Sequence, residues 1–196
     1  MPATDTRQNI LDVGQRLMAD RGWGSVGINE VLGAAGVPKG SFYHWFSSKD
    51  AFGEAMIRNY FVGYLAEMDG ILAGTSPAAG RLMDYWRNWR ATQSLRDCQG
   101  RCLAVKLGAE VADLSESMRT ALKAGTDSIV DRVRRTVEAG VVDGSIPVGL
   151  DAAATARTLY DLWLGASVMA KIQRDTAPLD NALAVTGRML GVTRAG

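Results

Sequence analysis

The 196-residue chain is predicted to be all-α on three observations. Apolar residues recur at helical spacing along most of its length. No run of alternating apolar residues bounded by hairpin turns interrupts them. Glycines and prolines punctuate the breaks between the periodic segments. There is no internal repeat and no low-complexity tract.

The elements follow in order. Ile10, Leu11, Gly14, Leu17 and Met18 share one face of a helix over Thr6–Arg21, with Asp5 or Thr6 as its cap. Gly22 and Gly24, on either side of Trp23, end it. Ile28, Val31 and Leu32 mark a short helix over Ile28–Ala35, which Gly36 breaks. Pro38 opens the next, Lys39–Phe46, because its missing N–H costs nothing in a first turn. Ser47 followed by Asp50 resembles a helix start, and Phe52, Met56, Tyr60, Tyr64, Met68 and Ile71 carry that helix to about Gly74. Pro77 opens a helix bearing Leu82, Tyr85, Trp86 and Trp89. A short one covers Arg101–Val111, and Ser115 caps a longer one through Val137. Gly140, Gly144 and Pro147 form a loop. Asp151 starts a helix to about Arg174, and Pro178 opens the last, through Leu190. That makes about nine helices. The expected division is a three-helix module over residues 1–47 and a larger bundle over residues 48–196.

Composition bounds the function. Hydrophobic residues are 47% and charged residues 22%, the balance of a globular chain. Apolar stretches stop short of the ~18 residues a membrane span needs, and Met1–Asp12 lacks a signal-peptide core. The expected compartment is the cytoplasm, with no membrane partner. Cys98 and Cys102 are too few for a disulfide framework and wrongly spaced for a CxxC pair. Lys and Arg number 22 against 21 Asp and Glu, a net charge of +1. Nucleic-acid binders are usually clearly basic, yet the placement of charge matters more than its total. Between Glu30 and Asp50 there is no acid at all, only Lys39, Lys49 and His44.

That acid-free stretch has the pattern of a helix-turn-helix: a helix ending at Gly36, a short turn, and a second helix presenting small and polar groups. A helix in the DNA major groove must offer such groups near its N-terminus to reach base edges. Lys39, Gly40 and Ser41 meet that requirement. Tyr43, His44 and Lys49 can donate to phosphates, which fix register without reading sequence. Phe42, Trp45 and Phe46 face the module's core. For His44 and Lys49 a plain solvated position remains the alternative.

The run AAGVPKGSFYHWFSSKDAF, residues 34–52, resembles the DNA-binding signature of TetR-family transcriptional repressors. Gly22-Trp23 also sits where that family has a glycine and an aromatic. Pro38 stands where Ser or Thr is common, and Gly27 occupies the usual cap of the second helix. The resemblance implies a homodimer through the last two long helices, a palindromic DNA operator and a pocket for a small-molecule effector in the C-terminal part.

Three features of the second half bear on the effector. Arg87, Arg90, Arg96, Arg101 and Lys106 are accompanied, between Asp84 and Glu110, by the single acid Asp97. This is either a solvated basic face or a place where one or two cations turn inward to hold an anion. Cys102 begins a short helix with Lys106 one turn on, an arrangement that favours the reactive thiolate; a buried inert cysteine is the alternative. Cys98 is a candidate resolving thiol. Tyr85, Trp86, Trp89, Tyr160 and Trp163 are core or dimer-face aromatics whose polar atoms need partners, and a polar ligand can supply some. Lys171 brings a second charge along the same helix as Trp163.

Residues 101–119, RCLAVKLGAEVADLSESMR, and 159–174, LYDLWLGASVMAKIQR, resemble a TetR subgroup. It includes the repressor of the N-ethylmaleimide reductase operon and the acrylate-responsive repressor of acrylate use. The subgroup implies reactive electrophiles or small unsaturated acids as the signal. It points to Cys102 as the sensing thiol and to Lys106 and Lys171 as its cationic neighbourhood. Covalent modification and reversible carboxylate binding both remain open.

For the dimer, Ala152, Ala156, Leu159, Trp163, Ala166 and Ala170 form one stripe, and Leu179, Leu183, Thr186 and Leu190 another. Together they suit a four-helix bundle with the two-fold copy. An enzyme using Cys102 fares poorly, since the only histidine, His44, lies in the helix-turn-helix. No Gly-rich phosphate loop or metal cluster is present, so no cofactor is expected.

Overall fold

The computed structural model describes residues 3–94 and 102–192. Among these residues there are nine helices and no strand. They are α1 (Ala3–Arg21), α2 (Ile28–Ala35), α3 (Lys39–Trp45), α4 (Lys49–Leu72), α5 (Ala78–Gln93), α6 (Leu103–Leu114), α7 (Glu116–Val142), α8 (Ala152–Gln173) and α9 (Ala177–Met189). Two compact units share them: residues 1–64 with 101–126, and residues 65–100 with 127–196. Helices α4 and α7 each contribute to both.

The local rules explain most boundaries. Gly36 ends α2 in the left-handed conformation (φ 66°). Val37 N–H then bonds Leu32 O at 3.1 Å and Gly36 N–H bonds Gly33 O at 3.3 Å, a Schellman stop. Asp151 caps α8 by accepting from the N–H groups of Ala153 and Ala154. Four expectations need correction. Helix α1 begins at Ala3, so Asp5 and Thr6 lie inside it rather than at its cap. The side-chain cap of α4 is Ser48, not Ser47: Ala51 N–H donates to Ser48 Oγ at 3.0 Å. In α9 the cap position is Thr176, which places Pro178 in the second helical position. Gly140 does not break α7, which runs on to Val142. A Cβ there would meet the Ile146 side chain, so this glycine is a packing contact for a buried isoleucine.

The first unit closes over aromatic rings. Phe42, Phe46 and Phe52 are buried with ring centroids 5.1–5.5 Å apart, and Trp23 stacks on Phe52 at 6.5 Å. A ring buried this way contributes about 1.5–3 kcal/mol, more than any surface ion pair. Gly53 makes room for it, since a Cβ there would strike both Trp23 and Met118.

The second unit is built on tryptophans. Trp86 and Trp163 stack at 5.0 Å with their planes 11° apart. The Trp89 indole N–H donates to Ser167 Oγ and that of Trp163 to Thr186 Oγ1, both at 2.9 Å. The hydroxyls pass their own protons to backbone carbonyls, Ser167 to Trp163 O and Thr186 to Ala182 O. Most of the residues expected at the dimer face are part of this core, while Ala152 and Leu183 are half-buried. Ala156, Leu159, Trp163, Ala166 and Ala170 are buried within the single chain, as are Leu179, Thr186 and Leu190. Small side chains let α8 approach α5 and α9 closely enough for the tryptophans to interlock. The apolar residues of α8 that face solvent are Val168, Met169 and Ile172.

Pro77, at the start of α5, has no side chain with which to cap it. The cap comes from the loop after α7: Ala78 N–H donates to Asp143 Oδ2 at 2.8 Å and Ala79 N–H to Ser145 Oγ at 3.1 Å. Hydrogen bonds from the Ser145 side chain, the Ala78 N–H and the Ser145 N–H hold the Asp143 carboxyl below its ordinary value. A depressed carboxyl stabilises the fold above its unfolded pKa, about 3.9, and that contribution is lost as pH falls through the folded value. Asp143→Asn is therefore expected to lower the melting temperature at neutral pH and to flatten the loss of stability between pH 5 and 2. Thermal melts across that range test it, and an unaltered acid limb would count against the cap.

Candidate DNA-reading helix and thiol-bearing helix

Helix α3 is anchored from one side only. Phe42 and Phe46 are buried, which turns Lys39, Gly40, Tyr43 and His44 to solvent, with Ser41 half-buried. Tyr43 is 54% exposed although its ring edge rests on Phe42. Trp45, expected in the core, is half-buried and meets His44 edge-on at 4.7 Å. Five of the six expected DNA contacts thus lie on or beside one face of α3. The sixth, Lys49, is engaged inside the unit: its Nζ donates to Trp23 O at 3.1 Å and sits 4.7 Å from the centre of the Trp23 ring. A cation over an indole face is attracted by the ring quadrupole. Lys49 therefore braces the turn after α1 as well as standing near the reading helix.

Cys102 is buried, 7% exposed, and occupies the cap position of α6. The compact unit it joins is the one containing α1–α3, whereas Trp86, Trp89, Tyr160, Trp163 and Lys171 belong to the other. Lys106, expected in the cationic neighbourhood of the thiol, has a partner at the end of α1. Its Nζ donates to Asp20 O at 3.0 Å, at the carbonyl end of α1. Helix C-termini leave carbonyls without intrahelical partners and attract cations, and Lys106 answers both needs. Glu110, one turn on, accepts from Trp23 N–H at 3.0 Å and Gly24 N–H at 2.6 Å. Nothing in the spacing of Lys106 and Glu110 announces this. At i and i+4 they read as a pair within one helix.

In the second unit the aromatics are core: Tyr85, Trp86, Trp89, Tyr160 and Trp163 are all at most 3% exposed. Two of the three indole N–H groups are satisfied by Ser167 and Thr186, which removes much of the polar demand a ligand was expected to meet. The Trp86 N–H is buried without an acceptor. Lys171 lies half-buried in the last turn of α8. Of the arginines read either as a solvated face or as anion holders turned inward, Arg87 pairs with Asp84 at 2.7 Å and Arg90 with Asp180 at the surface. Arg96, Arg101 and Cys98 lie outside the described residues. A bidentate bridge that sequence reasoning missed joins Arg132 to Asp69 at 2.6 and 2.9 Å, and holds the Asp69 carboxyl below its ordinary value. No group of His, Cys, Asp and Glu among the described residues could hold a metal ion, and no described helix is long and apolar enough to cross a membrane.

Comparison with known proteins gives the same reading for both parts of the chain. A family model described as bacterial regulatory proteins, tetR family, matches residues 10–56, and one described as tetracyclin repressor-like, C-terminal domain, matches residues 78–186. The HTH-type transcriptional repressor NemR of Escherichia coli (strain K12) is 38% identical over 181 residues, 92% of this chain and 91% of that protein. The HTH-type transcriptional repressor DhaR of Mycobacterium sp. (strain GP1) is 32% identical, over 94% of this chain and 92% of its own. The crystal structure of the reduced form of E. coli NemR matches with a TM-score of 0.91 at 37% identity, over 97% of this chain and 100% of that one. These relatives are regulators rather than enzymes, and they match both parts of the chain: it belongs to the TetR family of helix-turn-helix transcriptional repressors.

Proposed function

We propose that this repressor binds a palindromic operator as a homodimer and is released by a small reactive electrophile, or a small unsaturated acid such as acrylate, acting at Cys102. One observation carries this reading: the exposed face of α3 and the buried Cys102 at the head of α6 belong to one compact unit. Chemistry at the thiol then acts on the unit that reads DNA. The resemblance to a NemR repressor of which a reduced form has been crystallised supports a thiol as the sensor.

In functional terms residues 1–47 are the DNA-binding domain, and residues 48–196 serve effector binding and dimerisation. Lys39, Gly40 and Ser41 approach base edges, while Tyr43, His44 and Lys49 hold phosphates. Lys49 has three N–H donors and uses one on Trp23 O. The two α3 helices of a dimer enter successive major grooves about 34–36 Å apart, and the protein works beside DNA in the cytoplasm. Exposed Val168, Met169 and Ile172 on α8 are the apolar surface offered to the second copy. The Cys102 sulfur adds to the β-carbon of an α,β-unsaturated carbonyl as the C=C π pair moves to the α-carbon. That carbon takes up a proton in place of the one lost from the thiol. The adduct shifts the tilt of α4, the reading heads spread, and operator affinity falls. The effector must favour the conformation that does not bind DNA.

A second reading, a reversible sensor of a small carboxylate, rests on the buried Trp86 N–H that lacks an acceptor. Trp86, with Trp89, Tyr160, Trp163 and Lys171 in the same unit, would then frame the ligand.

Four outcomes are expected. Lys39→Ala weakens binding to every duplex and reduces the slope of log affinity against log salt by about one. Lys49→Ala does the same and also lowers stability, by about 1 kcal/mol for the lost hydrogen bond; a salt series unchanged in both variants would remove them from the phosphate contacts. Cys102→Ser keeps the mobility shift of upstream DNA but is no longer released by N-ethylmaleimide or acrylate. Release of that variant by acrylate alone would favour the reversible site at Trp86. Finally, Ile172→Glu yields a monomer by light scattering if α8 carries the dimer face.

A further inference from the structure

We propose that Glu110 and Lys106 form a latch through which helix α6 sets the pose of the DNA-reading helix. Three hydrogen bonds compose it, each bridging 86 or 87 residues of sequence. Glu110 accepts from Trp23 N–H (3.0 Å) and Gly24 N–H (2.6 Å), and Lys106 donates to Asp20 O (3.0 Å). All of these partners lie in the first compact unit. Two consecutive N–H groups aimed at one carboxylate make an anion-receiving concavity, and bonds to an ionised acceptor are stronger than neutral ones.

The turn is shaped for this carboxylate. Gly22 has a φ of +89°, which side-chain-bearing residues rarely adopt. A Cβ on Gly22 would stand 3.0 Å from Glu110 Oε2, and one on Gly24 would stand 3.0 Å from Oε1. Either would press on the carboxylate, which would have to give by a few tenths of an ångström. The residue between them is tied to the reading helix by contacts on its other sides. Lys49 Nζ holds Trp23 O, and the Trp23 ring stacks on Phe52, whose ring touches Phe42 and Phe46. Phe42 belongs to α3, so a displacement of the latched turn reaches the helix that carries Lys39 and Tyr43. Glu110 and Lys106 act on DNA only through this chain of contacts, which makes them positioning residues. Lys106 N–H in turn bonds Cys102 O at 3.0 Å. The thiol-bearing residue, Lys106 and Glu110 thus follow one another at four-residue intervals along α6.

The test uses the full chain and a duplex that the wild-type protein selects from a random pool, so no operator has to be known beforehand. Glu110→Gln swaps one acceptor oxygen for an amide donor facing a backbone N–H. Gly24→Ala leaves Glu110 intact but presses on its carboxylate from the other side. Both variants are expected to lose about tenfold in affinity for the selected duplex, the scale of one charge-assisted hydrogen bond. Their affinity for unrelated duplex should stay as in wild type, because phosphate contacts survive a change of pose. Amide exchange at Trp23 and Gly24 should quicken in both while α3 and α4 keep their protection. A combined Lys106→Met and Glu110→Gln variant should lose less than the product of the single losses, since both groups hold one turn. Selected-duplex affinity equal to wild type, with the two amides exchanging fast, would overturn the positioning role. Unchanged exchange at those amides would overturn the latch itself. The proposal rests on the DNA reading of α3: failure of the wild-type protein to select any duplex would overturn that reading and the latch's role with it, an outcome distinct from either of the others.

Discussion

Trp23 is the constraint on which the first unit depends. Its backbone N–H is taken by Glu110, its carbonyl by Lys49, and its ring by Phe52 and the Lys49 ammonium. A residue between two glycines is ordinarily among the freest in a chain. Here the same glycines let a carboxylate and a helix approach so closely that the turn is held on every side. Helices α4 and α6 meet at this one residue. The orientation of the short α3 follows from the same cluster of rings, because seven residues of isolated helix cannot hold themselves together in water.

The second unit reaches rigidity by other means. Its centre is indole rather than phenyl, and indoles bring N–H groups that must be satisfied when buried. Ser167 and Thr186 do this for Trp89 and Trp163, each hydroxyl in turn donating a hydrogen bond to a carbonyl one turn back in its own helix. Two polar side chains thus fix the register of α8 against α5 and α9 without leaving a donor over. The Trp86 N–H stands outside this scheme.

Much of this was legible before any coordinates. Helical spacing with Gly and Pro punctuation located all nine described helices, since both signals are local and act over a few residues. The Gly36–Pro38 turn and the exposure of Lys39, Tyr43 and His44 followed from the same logic. What sequence could not show was which buried surface answers which. The stripe from Ala156 to Ala170 is apolar and small whether it packs on a second copy or on α5 and α9, and periodicity does not name a partner. Lys106 was expected beside Cys102 because the two are neighbours along one helix, but its bond to Asp20 O spans 86 residues of sequence and no local spacing announces it. Gly140 reads as a breaker by type, and only the position of Ile146 explains why it sits inside a helix. The acceptor role of Glu110 left no local trace at all.

The surface arginines have a consequence for how this repressor finds its site. Arg21, Arg58, Arg87, Arg119 and Arg157 each face a carboxylate on the surface, which mutes positive potential away from α3. Non-specific association with DNA rests on the release of counterions by many unpaired cations, and muted cations release few. Fewer copies are held idle on unrelated sequence. A repressor so balanced keeps a larger share of its molecules in solution, where a small effector can meet them before they return to DNA.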